Sequence, residues 1–203
     1  DGERQKRIFL REGRPDFVAS NIGTELLGEF LVAQGSILRM ELDMALAMLP
    51  RYDGRLGDAL VGLGILRPME LYQSVAQQVR SRFLEAFRLE RGQWAYLDGE
   101  RCEEETFPLG QGEHELLRDA CLQPSAHQMK ASLAPVMRRS VHQTPNAPIA
   151  AYRLPPQWER VIRSVDGRTT PAAIIVREQS GMATEQVERA LFLALSCDLI
   201  AAA

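Results

Sequence analysis

The sequence predicts a mainly α-helical protein with a small β component, and three observations support this. Two stretches, 26–49 and 55–78, repeat one another, each with leucines at helical spacing around a glycine. From Trp158 onward, three further amphipathic segments are separated by turn residues. Period-two alternation is confined to the short stretches 7–21 and 93–97. We therefore expect a tandem helix-turn-helix module followed by a winged-helix-like three-helix unit.

The length and composition are those of a globular protein with one large domain or two small ones. The chain has 203 residues, of which 45% are hydrophobic and 25% charged, and its net charge is −3. That charge argues against a general polyanion binder such as a nonspecific nucleic-acid protein. We divide the chain into a β-hairpin at 1–22, which would end an upstream domain, a tandem helical module with a short strand at 23–110, and a helical domain at 111–203.

The cysteines and the hydropathy bear on the compartment. Cys102, Cys121 and Cys197 are far apart, odd in number and form no CxxC pair, so no zinc site or disulfide framework is predicted. Reduced thiols in a cytoplasmic protein are the plain interpretation. No apolar run approaches the length of about 20 residues that a membrane helix needs, so no membrane insertion is expected.

The first element is a predicted hairpin at 7–21, with its turn at Glu12–Pro15. An isolated hairpin is marginal in water, so it must pack on something, and the strand-like segment 93–97 is the expected mate. The hairpin resembles the closing hairpin of a PATAN domain, a module of multidomain bacterial signalling proteins. If so, most of that domain lies outside this sequence.

Each repeat is predicted to form a helix, a glycine stop, a short apolar link and a second helix. Gly35 and Gly64 supply left-handed stops in the two copies. Pro68 stands where a first helical residue belongs, since its missing N–H costs nothing there. The helix that begins at Pro68 is expected to run to about Glu90, with an apolar side and a basic side. The basic side is either a solvated face or a surface for phosphate or acidic partners, and it comprises Arg80, Arg82, Arg88 and Arg91.

The second copy resembles the nucleotide-binding motif of the MshEN domain, found at the front of type II secretion and type IV pilus assembly ATPases. In that family the motif occurs in tandem with a five-residue spacer, here Pro50–Gly54, and the pair binds one cyclic di-GMP. The resemblance covers 23–78. It implies ligand-binding positions at Gly28, Arg55, Leu56, Gly57 and Gln78.

The first copy departs from this motif at its polar positions. Leu26 stands in the arginine position and Leu49 in the glutamine position. To bind cyclic di-GMP, a protein needs a guanidinium that stacks on a base or pairs with a phosphate, and an amide that hydrogen-bonds to a base edge. Each charged or buried hydrogen bond that is not made costs about 1–3 kcal/mol. Two hypotheses follow. The first is a non-catalytic regulatory or docking module that acts through protein contacts, in which Leu26 and Leu49 are buried against the second copy. The alternative is a cyclic di-GMP sensor with a solvent-open concavity near Arg55.

After the tandem module, the sequence predicts an acidic loop at 101–109 and then helices. Pro124 and Ser125 mark a fresh helix start, a short helix is expected at 132–139, and 142–148 is the clearest linker. The carboxylates at 103–105 are consecutive and point in different directions, so a solvated loop is favoured over a metal site.

The C-terminal unit is predicted to contain three helices. The first is ended by Asp166 and Gly167, Thr170 opens the second, and Thr184 caps the third. The buried side of the third helix is expected to comprise Val187, Ala190, Leu191, Ala194 and Leu195. DNA binding is disfavoured because Glu185 and Glu188 on its outer face repel phosphate.

No catalytic constellation is found. The chain has no Walker motif, and His114, His127 and His142 stand in no recognisable nucleophile setting. We therefore expect a protein that is not an enzyme and needs no cofactor. Its partners would be one or more proteins or cyclic di-GMP.

Overall fold

The structure is a computed structural model that describes residues 4–100, 102 and 112–203. The chain divides into two compact units, Asp1–Ala86 with Gly92–Gly110, and Phe87–Arg91 with Gln111–Ala203. Helices dominate both, and the β structure is confined to two small antiparallel pairs within the described residues. This confirms the predicted fold class. None of the described helices combines the length and the apolar character that a bilayer crossing requires.

The N-terminal hairpin is present as predicted. Strands β1 (Lys6–Arg11) and β2 (Arg14–Ser20) pair antiparallel, with Lys6 opposite Ser20 and a register shift after Phe9. The turn places Glu12 and Gly13 at positive φ, where glycine carries no steric penalty.

The prediction that the hairpin packs on the segment 93–97 was wrong. Residues 93–97 form no strand and are exposed, with Trp94 at 89%. Strand β2 instead contacts helix α4 (Pro68–Ala86), where Val79 and Phe83 are buried. Burying the apolar side of β2, including Val18, on a long helix removes more apolar surface from water than pairing with a five-residue edge strand would.

The tandem module has the predicted helix order. Its helices are α1 (Leu27–Ala33), α2 (Arg39–Ala47), α3 (Leu56–Gly62) and α4, with 3₁₀ turns at Gly23–Glu25 and Leu49–Tyr52. Gly35 and Gly64 have φ of 71° and 70°, which confirms both left-handed stops. Helix α4 begins at Pro68 as predicted but ends at Ala86, before the expected Glu90.

One small core joins the two copies. Its buried members come from both copies, and they are Leu31, Ile37, Leu42, Ala45, Ala59, Leu60 and Leu66. Two repeat positions of this core are buried in both copies, as Leu31 with Leu60 and Ile37 with Leu66. The repetition in sequence therefore corresponds to a repetition in packing.

The second unit is built around its last helix. The elements are α5 (Glu113–Cys121), α6 (Ala126–Leu133), β3 (Val141–Gln143), α7 (Pro156–Arg163), α8 (Pro171–Glu178), α9 (Thr184–Ser196) and β4 (Ile200–Ala202), with 3₁₀ turns at Ala134–Val136 and Ile149–Tyr152. Helix α9 contacts each of the four other helices and β4. Four of its five predicted core residues are buried, and Leu195 is half-buried.

The prediction that residues 142–148 form a linker was wrong. Its first residues belong to β3, which pairs antiparallel with β4, and the Thr144 N–H donates to the Leu199 carbonyl at 3.0 Å. Ile149, directly after it, is buried in the core. Proline and asparagine there shape a turn between packed elements, with Asn146 at a φ of 60°.

Two of the five helices described in this unit begin with an N-cap side chain that accepts a hydrogen bond. The Ser125 Oγ accepts from Gln128 N, and the Thr170 Oγ1 accepts from Ala173 N. The predicted Thr184 cap was wrong, since Ala183 is the N-cap and Thr184 is the first helical residue. Helix α6 begins directly after Ser125, as predicted. Of the short helix expected at 132–139, the structure has only the 3₁₀ turn at Ala134–Val136, which follows the end of α6 at Leu133. Apart from Cys102, the acidic loop at 101–109 lies outside the described residues.

Candidate functional site

The motif glycines lie where two helices approach each other. A Cβ on Gly28 would lie 2.5 Å from the Leu42 Cδ1 and 3.3 Å from the Leu56 Cδ2. A Cβ on Gly57 would lie 3.0 Å from the Leu71 Cδ2. Gly28 with Leu42 and Gly57 with Leu71 occupy equivalent positions in the two copies. Both glycines, and the half-buried Leu56 between them, are therefore explained by packing within the module.

Gln78 is used inside the molecule. It is only 4% exposed, and its Nε2 donates to the Glu25 carbonyl oxygen at 2.7 Å. The same oxygen accepts from the Arg82 Nε at 3.0 Å and Nη2 at 2.8 Å. The Arg82 Nη1 donates to the Val18 carbonyl at 3.2 Å. Helix α4 thus ties the turn before α1 to the N-terminal hairpin.

A buried ion pair completes this junction. The Lys6 Nζ lies 2.7 Å from the Glu25 Oε1, with the two side chains 7% and 16% exposed, and donates to the Arg82 carbonyl at 3.1 Å. The Glu25 Oε2 is buried and accepts no hydrogen bond within the described structure. A cavity of about 220 Å³ adjoins it, and its lining includes Gln78, Arg82 and Glu85. Arg82, one of the arginines predicted to form the basic side of α4, therefore stabilises the hairpin.

Arg55 has a different setting from Gln78. It is the N-cap residue of α3, its side chain is 77% exposed, and its Nη1 lies 3.9 Å from the Asp58 Oδ2. It does not line the cavity that Gln78 adjoins. The structure therefore does not bring the two polar residues of the predicted site together, because Arg55 lies in solvent and Gln78 lies in the interior.

The two leucines that replace polar motif residues also differ. Leu49 is half-buried and packs against the core of the tandem module. Leu26 is 51% exposed, so the expectation that both leucines are buried was wrong for Leu26. As the N-cap of α1 it is extended, with ψ of 150°, and contributes its carbonyl to the helix while its side chain stays outside.

Helix α2 carries apolar residues on two opposite sides. Leu42 and Ala45 are buried in the core of the module. Met40, Met44 and Ala47, at i, i+4 and i+7, are all exposed, with Met40 at 72% and Met44 at 46%. Leu42 lies about 200° around the helix from Met40, so the exposed residues form a second apolar stripe opposite the core. We call Met40, Met44 and Ala47 the α2 stripe.

The second unit contains a cleft of about 630 Å³. Three arginines line it, and each is held by contacts within the chain. Arg118 pairs with Asp119 at 2.8 Å, Arg153 with Glu115 at 2.8 Å, and Arg189 with Glu185 at 3.0 Å. The guanidinium of Arg118 also donates to two backbone carbonyls. These arginines are thus part of the local structure. Sequence reasoning missed the cleft because its lining comes from separate elements.

Two cysteines are brought together in the second unit. The Sγ atoms of Cys121 and Cys197 lie 3.8 Å apart, although the residues are 76 positions apart in sequence. Cys121 is buried and Cys197 is half-buried. The sequence analysis treated the cysteines as separate. Their spacing could not have paired them, because it is the packing of α5 against α9 that brings them together.

No constellation for metal binding appears among the described residues. His114 contacts Tyr152 edge-on, with ring centroids 4.9 Å apart, rather than a nucleophile. Asp166 accepts from the backbone N–H groups of Arg168 and Thr169, which lowers the pKa of this carboxyl to about 2. Asp166 therefore stabilises the turn that follows α7.

Comparison with known proteins gives no relative from which a function could be transferred. A scan against protein-family models found no match. Curated proteins and solved structures likewise gave none. The resemblance to the MshEN motif therefore stays a prediction based on the residues themselves.

Proposed function

We propose that the chain is a non-catalytic docking module of a bacterial signalling, secretion or motility protein, acting through protein contacts. The observation that carries this proposal is the α2 stripe. A helix of a globular protein normally has one apolar side, which faces the core. Helix α2 has such a side in Leu42 and Ala45, and a second one in solvent.

The partner we propose is an amphipathic helix of another protein. Apolar residues at i, i+4 and i+7 form a ridge along one side of a helix, and the matching surface is the apolar stripe of a second helix. Two members are methionines, whose flexible and polarisable side chains adapt to a partner's shape. Exposed Asp43 borders the α2 stripe, which favours a partner helix with a basic edge.

Cyclic di-GMP sensing is the second candidate, and the exposed position of Arg55 favours it. A guanidinium in solvent at a helix start can reach a phosphate or stack on a base. Against it, Gln78 donates its amide to a carbonyl of the same chain and is buried. A ligand would have to break that contact to use it, which places this candidate second.

Position-specific crosslinking in the source cells tests docking. A photoreactive amino acid at position 40 or 44 would capture a partner, while the same group at exposed Gln157 is the matched control. We expect one protein to be captured at both test positions and not at the control. Adding Met40→Glu to the position-44 variant should abolish capture without changing the circular dichroism spectrum. Equal capture at Gln157, or capture that survives Met40→Glu, would contradict the proposal.

A further inference from the structure

The second unit holds two cysteine side chains in contact with each other. Cys121 is the last residue of α5 and Cys197 is the C-cap of α9, and their sulfurs lie 3.8 Å apart. In a disulfide the two sulfurs lie about 2.05 Å apart, so rotation about the two Cα–Cβ bonds must bring them closer by about 1.8 Å. Both residues are at helix ends, where side chains rotate with less hindrance than within a helix.

We propose that Cys121 and Cys197 form a reversible disulfide when the protein meets a peroxide. The pair is thus a site of oxidative modification. Cys197 is the attacking residue and Cys121 the resolving one, because Cys197 is half-buried and open to a small oxidant while Cys121 is only 8% exposed.

The hydrogen bond within the pair supports this order of attack. A thiol that donates to Cys197 stabilises its thiolate, so the hydrogen bond from Cys121 lowers the pKa of Cys197. The same hydrogen bond, together with burial, raises the pKa of Cys121. Tyr152 lies beside both, and burial raises the pKa of its phenol, so it stays a neutral donor. The thiolate is the nucleophile in exchange and oxidation.

The disulfide forms in two steps. The Cys197 thiolate attacks one oxygen of hydrogen peroxide, the O–O bond breaks, and Cys197 becomes a sulfenic acid as hydroxide leaves. The Cys121 sulfur then attacks the Cys197 sulfur, the S–O bond breaks, and a second hydroxide leaves. The two thiol protons convert both hydroxides to water. Two electrons pass from the pair of sulfurs to the peroxide, and a dithiol reductant reverses the change.

Peptide mapping of the full chain tests the proposal directly. Trypsin places the three cysteines in separate peptides, at 102–118, 119–130 and 190–203. The reduced protein is treated with hydrogen peroxide, free thiols are blocked with a maleimide, and the digest is analysed without reductant. We expect a linked 119–130 and 190–203 species whose mass is about 2 Da below the sum of the two peptides, and its loss after dithiothreitol.

Controls decide between this pairing and general thiol oxidation. Cys102→Ser should leave the linked species unchanged, and Cys197→Ser should abolish it. Because the bond closes a long loop, the oxidised protein should also melt several degrees higher than the reduced one. Two results would overturn the proposal: linkage of either peptide to 102–118, or Cys197 found as a free thiol or sulfinic acid in unlinked peptide. Both readouts come from the wild-type chain, so they stand even if a serine variant fails to fold.

Discussion

The two copies of the tandem repeat share their backbone construction and differ in the use of their polar positions. Both begin with an extended N-cap, stop at a glycine near +70° and place a glycine against a leucine of the next helix. Yet Leu26 and Arg55 are both exposed at equivalent N-caps, while Leu49 and Gln78 both face inward. At these two pairs of equivalent positions the side chains are therefore placed alike, and the residue type decides which contact is made there.

The residues that resemble a nucleotide-binding motif also have a structural role in this protein. The glycines and leucines that the copies share are those that helix packing demands. Gln78, which only the second copy has, holds the turn before the first copy. Repetition of the packing residues is thus sufficient to explain why the pattern persists in both copies.

The largest expected difference between the copies is the cost of filling the glycine positions. Gly28→Ala should destabilise the module by about 1–2 kcal/mol, because overpacking against buried Leu42 costs about 1–3 kcal/mol and alanine regains up to about 1 kcal/mol of helix propensity. Gly57→Ala should be near neutral, since half-buried Leu71 can turn away. Native-state hydrogen exchange of the peptides that cover α1 and α3 measures both changes. Equal losses in the two variants would contradict this packing account.

The second prediction exchanges the inward-facing residues at the ends of the copies. Gln78→Leu, which gives the second copy the residue of the first, should cost about 1 kcal/mol, because one hydrogen bond to the Glu25 carbonyl is lost while Arg82 still satisfies that oxygen. The loss should appear as faster hydrogen exchange in the turn at 23–25 and in the hairpin. Unchanged exchange there would show that Gln78 does not hold this junction.

The third and smallest prediction concerns a cap that both copies have. The Glu41 Oε2 accepts from the Leu38 N–H at 2.7 Å, and the Glu70 Oε2 accepts from the Arg67 N–H at 2.9 Å. Glu41→Ala and Glu70→Ala should each cost about 0.5–1 kcal/mol and agree within a few tenths, because the same contact is removed from equivalent helix starts. Hydrogen exchange in the first turns of α2 and α4 measures the two losses of stability. Clearly unequal losses would show that the two caps are not equivalent.

The sequence could predict what local chemistry determines. Gly35, Gly64 and Pro68 fix the stops and the start of the tandem helices through their own backbone preferences, and all three were predicted correctly. The hairpin itself was found from alternation and its turn.

Features that depend on distant segments could not be predicted. The mate of the hairpin depends on which apolar surface is available in three dimensions, and that surface is α4. The linker assignment at 142–148 failed because the strand that pairs with Val141–Gln143 comes at the end of the chain. The 3.8 Å approach of Cys121 to Cys197 has the same origin. Likewise, the donation by Gln78 to Glu25 joins residues 53 positions apart, so its motif position suggested a ligand instead.

The most direct test of the central claim, that the tandem repeat is kept as a packing scaffold for protein docking, is a calorimetric titration with cyclic di-GMP. The full chain and Arg55→Ala are each titrated, with cyclic di-AMP as the control ligand. We predict no binding heat for either protein at ligand concentrations well above the micromolar range. Micromolar or tighter binding of cyclic di-GMP that Arg55→Ala removes would contradict the account and make the exposed arginine part of a second-messenger site.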